Sequence, residues 1–120
     1  MIKLFEQYNE YNQVKDWLDK MDIKKYTIND DLIVDVDGPV EITYKELTEI
    51  PIQFGRVQST FNCCHNELTT LKGCPKYVGG SFNCSFNNLT TLEHCPKYIV
   101  IDLDCKNNQL KTLMYHPEEI

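Results

Sequence analysis

Apolar positions recur along this chain with two different periods. Between Tyr11 and Met21 they fall three and four apart, at Tyr11, Val14, Trp17, Leu18 and Met21. Glu10, Lys15, Asp16, Asp19 and Lys20 take the other side. This spacing predicts an α-helix with one apolar stripe, which Leu4, Phe5 and Tyr8 extend upstream. The helical period then stops. Tyr26-Thr27-Ile28 and Leu32-Ile33-Val34 flank the turn-forming Asn29-Asp30-Asp31 and predict a short hairpin.

From there the period is 21. Phe61, Cys63, Asn66, Leu68 and Leu71 recur as Phe82, Cys84, Asn87, Leu89 and Leu92, then as Leu103, Cys105, Asn108, Leu110 and Leu113. A degenerate earlier copy is Val40, Ile42, Leu47 and Ile50. Pro75, Pro96 and Pro117 keep the same spacing, as do Val36, Val57, Val78, Ile99 and Ile120. Self-similarity at this period predicts stacked turns of a solenoid. Side chains alternate along a strand, so Phe82 and Cys84 point inward while Ser81, Asn83 and Ser85 point out. Stacking turns each inward position into a column, with Leu68-Leu89-Leu110 and Leu71-Leu92-Leu113 filling the core. Asn66-Asn87-Asn108 is expected to be an inward ladder whose amides bond the backbone of a bend. The prolines and Gly79-Gly80 predict an extended or turn-rich return side. The helix is expected to cap the first turn, because an open solenoid end exposes apolar columns and strand edges; docking in a partner's groove is the alternative.

The run Cys74-Pro75-Lys76-Tyr77-Val78-Gly79-Gly80-Ser81-Phe82-Asn83-Cys84, continued through Asn87-Asn88-Leu89-Thr90-Thr91-Leu92, resembles the short leucine-rich-repeat-like proteins of bacteria and their phages. The resemblance covers about residues 27–120, with Val100-Ile101 in place of Gly-Gly in the last turn. It implies a right-handed solenoid used for protein–protein contact, with no shared enzymatic activity. The expected fold class is therefore α+β, mainly β. It is a single domain over residues 1–120, with a capping-helix region (1–25), a hairpin lead-in (26–38) and a leucine-rich-repeat-like solenoid (39–120) of about four 21-residue turns.

Charge narrows the function classes. Eighteen acids against twelve bases give a net charge of −6, which argues against a nucleic-acid footprint and against docking on an anionic membrane. No apolar run is long enough to span a bilayer, and acids stand where a signal peptide has its apolar core, so a cytoplasmic protein is expected. All the excess lies in residues 1–50, densest where Asp30, Asp31, Asp35, Asp37, Glu41, Glu46 and Glu49 meet only Lys45. That stretch is a solvated face or a patch that attracts a basic partner. Beyond Ile120, where the fourth turn ends, no cap is expected; Asp102, Asp104, Lys106, Glu118 and Glu119 would blunt the edge. A monomer is favoured over a homodimer, because like charges would face each other across a two-fold.

The six cysteines fall mostly on columns. Cys63, Cys84 and Cys105 share one, and Cys74 and Cys95 share another that continues to His116. Reduced thiols pack well there, and a straight column cannot supply a tetrahedral metal set, so no metal and no cofactor are expected. Cys64 falls at an outward position and is expected to react first with a thiol reagent. Cys64-His65 makes no nucleophile–base pair, because strand neighbours point to opposite faces.

Function is expected on the outward columns. These are Pro39-Thr60-Ser81-Asp102, Glu41-Asn62-Asn83-Asp104, Thr43-Cys64-Ser85-Lys106 and Tyr44-His65-Phe86-Asn107. The last sets three rings in a row, which either bind a partner or merely stack on one another. The expected contact surface is Tyr44, His65 and Phe86 with Glu41, Asn62, Asn83 and Asp104, on a non-enzymatic protein-binding module that acts by occlusion. The resemblance points by analogy to a phage-encoded inhibitor of a host enzyme or defence protein. The alternatives are a self-assembling structural component and a Cys/His metal or thiol protein.

Overall fold

The computed structural model of the chain describes residues 2–119, with side chains from Tyr8 onward. The Ile120 end of the Val36 column and the side chains of Leu4 and Phe5 lie outside the described residues. Helix α1 runs Ile2–Lys20. It ends because Asp22 turns left-handed (φ 60°), letting Ile23 N–H reach the Leu18 carbonyl (3.0 Å) and Asp22 N–H the Asp19 carbonyl (3.0 Å). This reciprocal pair closes a helix end, and the accompanying apolar contact is met by Leu18 and Ile23, both buried. Val14, Trp17, Leu18 and Met21 face the core, and the Trp17 ring meets the edge of Phe54 at 6.3 Å. Tyr11, expected on the same stripe, is exposed, one turn beyond the end of the packed contact.

Strands β1 (Tyr26–Ile28) and β2 (Ile33–Val36) form the antiparallel hairpin, with Tyr26 opposite Val36 and Ile28 opposite Val34. Leu32, expected to begin the second strand, instead sits in the turn at φ 65°. Then β3 (Val40–Glu41), β4 (Gln53–Val57), β5 (Phe61–Asn62), β6 (Tyr77–Val78), β7 (Phe82–Asn83), β8 (Tyr98–Ile99) and β9 (Leu103–Asp104) follow. They sort into two sheets, β1-β2-β4-β6-β8 and β3-β5-β7-β9. Apart from the β1–β2 hairpin, both are parallel. Pairing follows the repeat: Phe61 opposes Phe82 and then Leu103, while Val57 opposes Val78 and then Ile99. The return side is extended, as the prolines predict, and holds a sheet of its own.

The chain is thus α+β, mainly β, with one helix and about three stacked coils among the described residues. The fourth copy of the repeat supplies β8 and β9 without closing over its own core. Leu103, Cys105 and Leu110 are only half-buried, and Leu113 is 65% exposed, because no further coil lies beyond them among the described residues. Inside the coils, Phe54, Phe61, Phe82, Leu68, Leu71, Leu89 and Leu92 are fully buried.

The asparagine ladder forms as expected. Asn87 Nδ2 donates to the carbonyls of Cys63 and Cys84 (both 3.1 Å), and its Oδ1 accepts Leu68 N–H (3.0 Å). Asn66 does the same for Ile42, Cys63, Lys45 and Leu47, and Asn108 for Cys84, Cys105 and Leu89. Each amide ties one coil to the coil before it. No buried side-chain nitrogen or oxygen among the described residues lacks a partner.

Candidate functional site

Each coil must turn sharply after its strand in the β3-β5-β7-β9 sheet, and it turns at one residue. Tyr44, His65, Phe86 and Asn107 all adopt left-handed backbone, with φ of 56°, 55°, 55° and 57°. For a residue with a Cβ this costs about 1–2 kcal/mol. The inter-coil bonds of the bend offset it: Tyr44 N–H donates to the His65 carbonyl (3.1 Å), His65 N–H to Ser85 (3.1 Å) and Phe86 N–H to Lys106 (3.0 Å). With this left-handed bend repeated in each coil, the rings line up. Tyr44 and His65 stack at 4.5 Å between centroids and 9° between planes, and His65 and Phe86 at 4.3 Å and 11°.

This ladder has a definite chemistry. Both faces of the His65 ring are covered, so His65 offers only its edge. Tyr44 stays 71% exposed and Phe86 40% exposed. A planar ligand cannot enter between rings already in contact. What solvent meets is a strip of ring edges, ending in the open ring of Tyr44.

The neighbouring lane is Glu41, Asn62, Asn83 and Asp104, paired in register along the sheet. Its oxygens are largely engaged by the chain itself. Asn62 Oδ1 accepts Cys64 N–H (3.1 Å), Asn83 Oδ1 accepts Ser85 N–H (2.9 Å) and Asp104 Oδ1 accepts Lys106 N–H (3.2 Å). These three shape the bend. Asn62 Nδ2 also donates to Glu41 Oε1 (3.1 Å), and Glu41 remains exposed.

The third outward column is corrected. Cys64 and Ser85 are buried, not outward: Ser85 is 2% exposed and its hydroxyl donates to Asn83 Oδ1 at 2.6 Å. The reason is local. The strict alternation of a strand ends one residue earlier, and the chain is already curling into the left-handed bend. Cys64 is therefore not the accessible thiol; Cys95 and Cys105 are the less buried ones. All six cysteines are free. Burial pushes the thiols of Cys64, Cys74, Cys84 and Cys105 up, and that of Cys95 up to about 12. Their protonated form is thus favoured, which suits packing and opposes nucleophilic chemistry. Among the described residues no group of three His, Cys, Asp or Glu side chains is placed to hold a metal ion. A groove of about 490 Å³ on the return side brings Lys76, Lys97, His94 and Cys95 to its walls.

Two features escaped the sequence reading. On the return sheet Arg56, Tyr77, Tyr98 and Glu119 stand in register. The Arg56 guanidinium lies 3.7 Å from the Tyr77 ring centre, and Tyr98 OH donates to Glu118 (3.2 Å). The 21-residue spacing of Tyr77 and Tyr98 was the available signal. The second feature is a set of apolar side chains exposed on the last coil. Expected charges do line that edge, but Val100, Ile101, Leu113, Met114 and Tyr115 lie exposed beside them.

No family model, no curated protein and no solved structure matches this chain. No helix among the described residues is long and apolar enough to cross a membrane.

Proposed function

We propose that the chain is a non-enzymatic protein-binding module that acts by occlusion through the outer face of its β3-β5-β7-β9 sheet. In this reading the coils are four leucine-rich-repeat-like turns, in keeping with the 21-residue pattern. The observation that carries it is the Tyr44–His65–Phe86 ladder, a strip of aromatic edges held by stacking and by a repeated backbone bend. Rings fixed in advance lose little rotamer entropy on docking, which is where rigid aromatic anchors gain over flexible ones. Tyr44 is the anchor that protrudes furthest. Glu41 lies beside it, within the acid-rich stretch from Asp30 to Glu49, so the complementary partner presents a basic surface. The resemblance to short repeat proteins of bacteria and phages suggests a cytoplasmic host enzyme or defence protein as that partner, by analogy alone.

The test compares the full chain with its Tyr44→Ala/Phe86→Ala variant as baits in a bacterial lysate. A protein held by the first and lost by the second, with unchanged circular dichroism, is the expected result. A partner retained equally by both baits moves the contact off the ladder and overturns the assignment of this face.

A further inference from the structure

The groove of about 490 Å³ on the return side carries charge of one sign. Lys76 and Lys97 line it with His94, and no acidic side chain does. The repeat explains its shape. Gly55, Lys76 and Lys97 form one row at a spacing of 21, tied by Lys76 N–H to the Gly55 carbonyl (2.9 Å) and Lys97 N–H to the Lys76 carbonyl (3.0 Å). Gly73 and His94 follow the same spacing in a second row. A Cβ on Gly55 would meet Asp35 Oδ1 at 2.5 Å, and one on Gly73, at φ 98°, would meet the Ile52 carbonyl oxygen at 2.5 Å. The second coil therefore carries no side chain at either place, and the coils after it carry long basic ones. The glycines leave the hollow, and the lysines and His94 wall it. The acids nearby are engaged elsewhere. Asp35 accepts from Arg56 N–H (2.8 Å) and Asn29 Nδ2 (3.3 Å), and Glu118, next in the lysine row, accepts from Tyr98 OH (3.2 Å). Glu93 lies 3.9 Å from His94. Among the described residues no ion pair joins Lys76 or Lys97, both exposed.

We propose that this groove takes an acidic peptide segment of a partner protein. Charge complementarity selects the sign of the occupant. Size selects a peptide over a free anion: a hollow of several hundred Å³ holds a ligand of many atoms, whereas a single water occupies about 30 Å³. Ile33, Pro75 and Cys95 add apolar wall for the stems of the segment's side chains. Lysines on neighbouring coils stand about 4.8 Å apart at their backbones, so two acidic side chains on one extended segment can meet both. A nucleic acid fits less well, since the chain carries −6 overall. This contact is separate from the aromatic ladder and opposite in sign, because the outer face calls for a basic partner surface.

The test titrates a fluorescein-labelled tetraglutamate peptide with the full chain at about 0.1 M salt, where charges more than about 10 Å away are largely screened. A saturable rise in anisotropy is expected. Lys76→Glu/Lys97→Glu should weaken binding by roughly tenfold or more through like-charge repulsion. Lys106→Glu/Lys111→Glu makes the same change in net charge at exposed positions off the groove and should leave affinity within about twofold. Unlabelled peptide should slow the reaction of Cys95, on the groove wall, with a thiol reagent and spare Cys105. Circular dichroism of each variant checks that the fold is kept. A titration that never saturates overturns the proposal. So does an equal loss in both variants, which would mark non-specific attraction, or a Cys95 that the peptide leaves unprotected. Inorganic phosphate that competes as well as the unlabelled peptide would make this a free-anion site, and a single-stranded oligonucleotide that competes better would make it a nucleic-acid site; either overturns the peptide as occupant.

Discussion

The two ends of the stack carry the same repeat and reach opposite outcomes. In the first coil Val40, Ile42 and Ile50 are buried to 5% exposure or less, beneath a helix and its closing turn that add Leu18, Met21 and Ile23 to their cluster. In the last coil Leu103 and Leu110 are half-buried and Leu113 lies open. The repeat positions correspond, Val40 to Leu103, Ile42 to Cys105 and Ile50 to Leu113, and all are apolar. What differs is the neighbour: a solenoid coil buries its core only against the next coil or a cap. A repeat position therefore has no fixed energy, and its worth rises with distance from an open end.

Alkali is expected to give the largest effect, and it should act on the covered coils. Cys74, Cys84 and Cys95 have thiols raised by burial, Cys95 to about 12. In the unfolded chain such thiols ionise near 8.5. The unfolded state then loses protons that the folded state keeps, so stability is full below about pH 8.5 and falls as pH climbs toward 12 and beyond. Urea midpoints measured from pH 8 upward should decline steeply. Replacing Cys84 by Ala should flatten the decline more than replacing Cys105, whose thiol is also raised but is less buried, nearer the open end. Equal effects would erase the difference between the ends.

Next in size is a pair of leucines. Leu89→Ala opens a cavity in a fully buried column and should cost about 3 kcal/mol. Leu113→Ala, at the exposed end, should stay within about 0.5 kcal/mol. Chemical denaturation checks both. A cost at Leu113 close to that at Leu89 would mean the last coil is covered after all.

The asparagine ladder gives a finer version. Asn87→Ala strips partners from backbone groups in two buried coils, for an expected loss of about 2–3 kcal/mol. Asn108→Ala frees the same kinds of groups nearer to water, where solvent can replace the lost bonds, and about 1 kcal/mol is expected. Thermal denaturation of the two variants side by side would show whether the gradient runs through the polar ladder as well as the apolar columns.

These contrasts also mark what the sequence made legible. Columns were legible because one 21-residue period imposes one environment on every copy: Phe61, Phe82, Leu68, Leu89 and Asn87 all stand where the period puts them. The row Tyr44, His65 and Phe86 was legible for the same reason. Its stacking was legible only as one of two alternatives, since ring-on-ring contact depends on the left-handed bend and not on spacing alone. Cys64 and Ser85 were misplaced because strand alternation was carried one residue into that bend. Leu113 was misplaced because a period is blind to where stacking stops.

The smallest effect, and the most direct view of the gradient, is thiol access along one column. Cys63 and Cys84 are fully buried, and Cys105, in register with them, is half-buried. A thiol reagent reaches a buried sulfur only when its coil opens, so the labelling rate reports the free energy of local opening. Cys105 should react first, by fraying of the last coil, and Cys95 close behind it. Cys84 and Cys63 should wait for opening of the stack, and Cys64 should lag with them despite standing at the strand end. Cys63 labelling as fast as Cys105 would mean that the stack opens as one unit, and that burial at its two ends differs without any difference in stability.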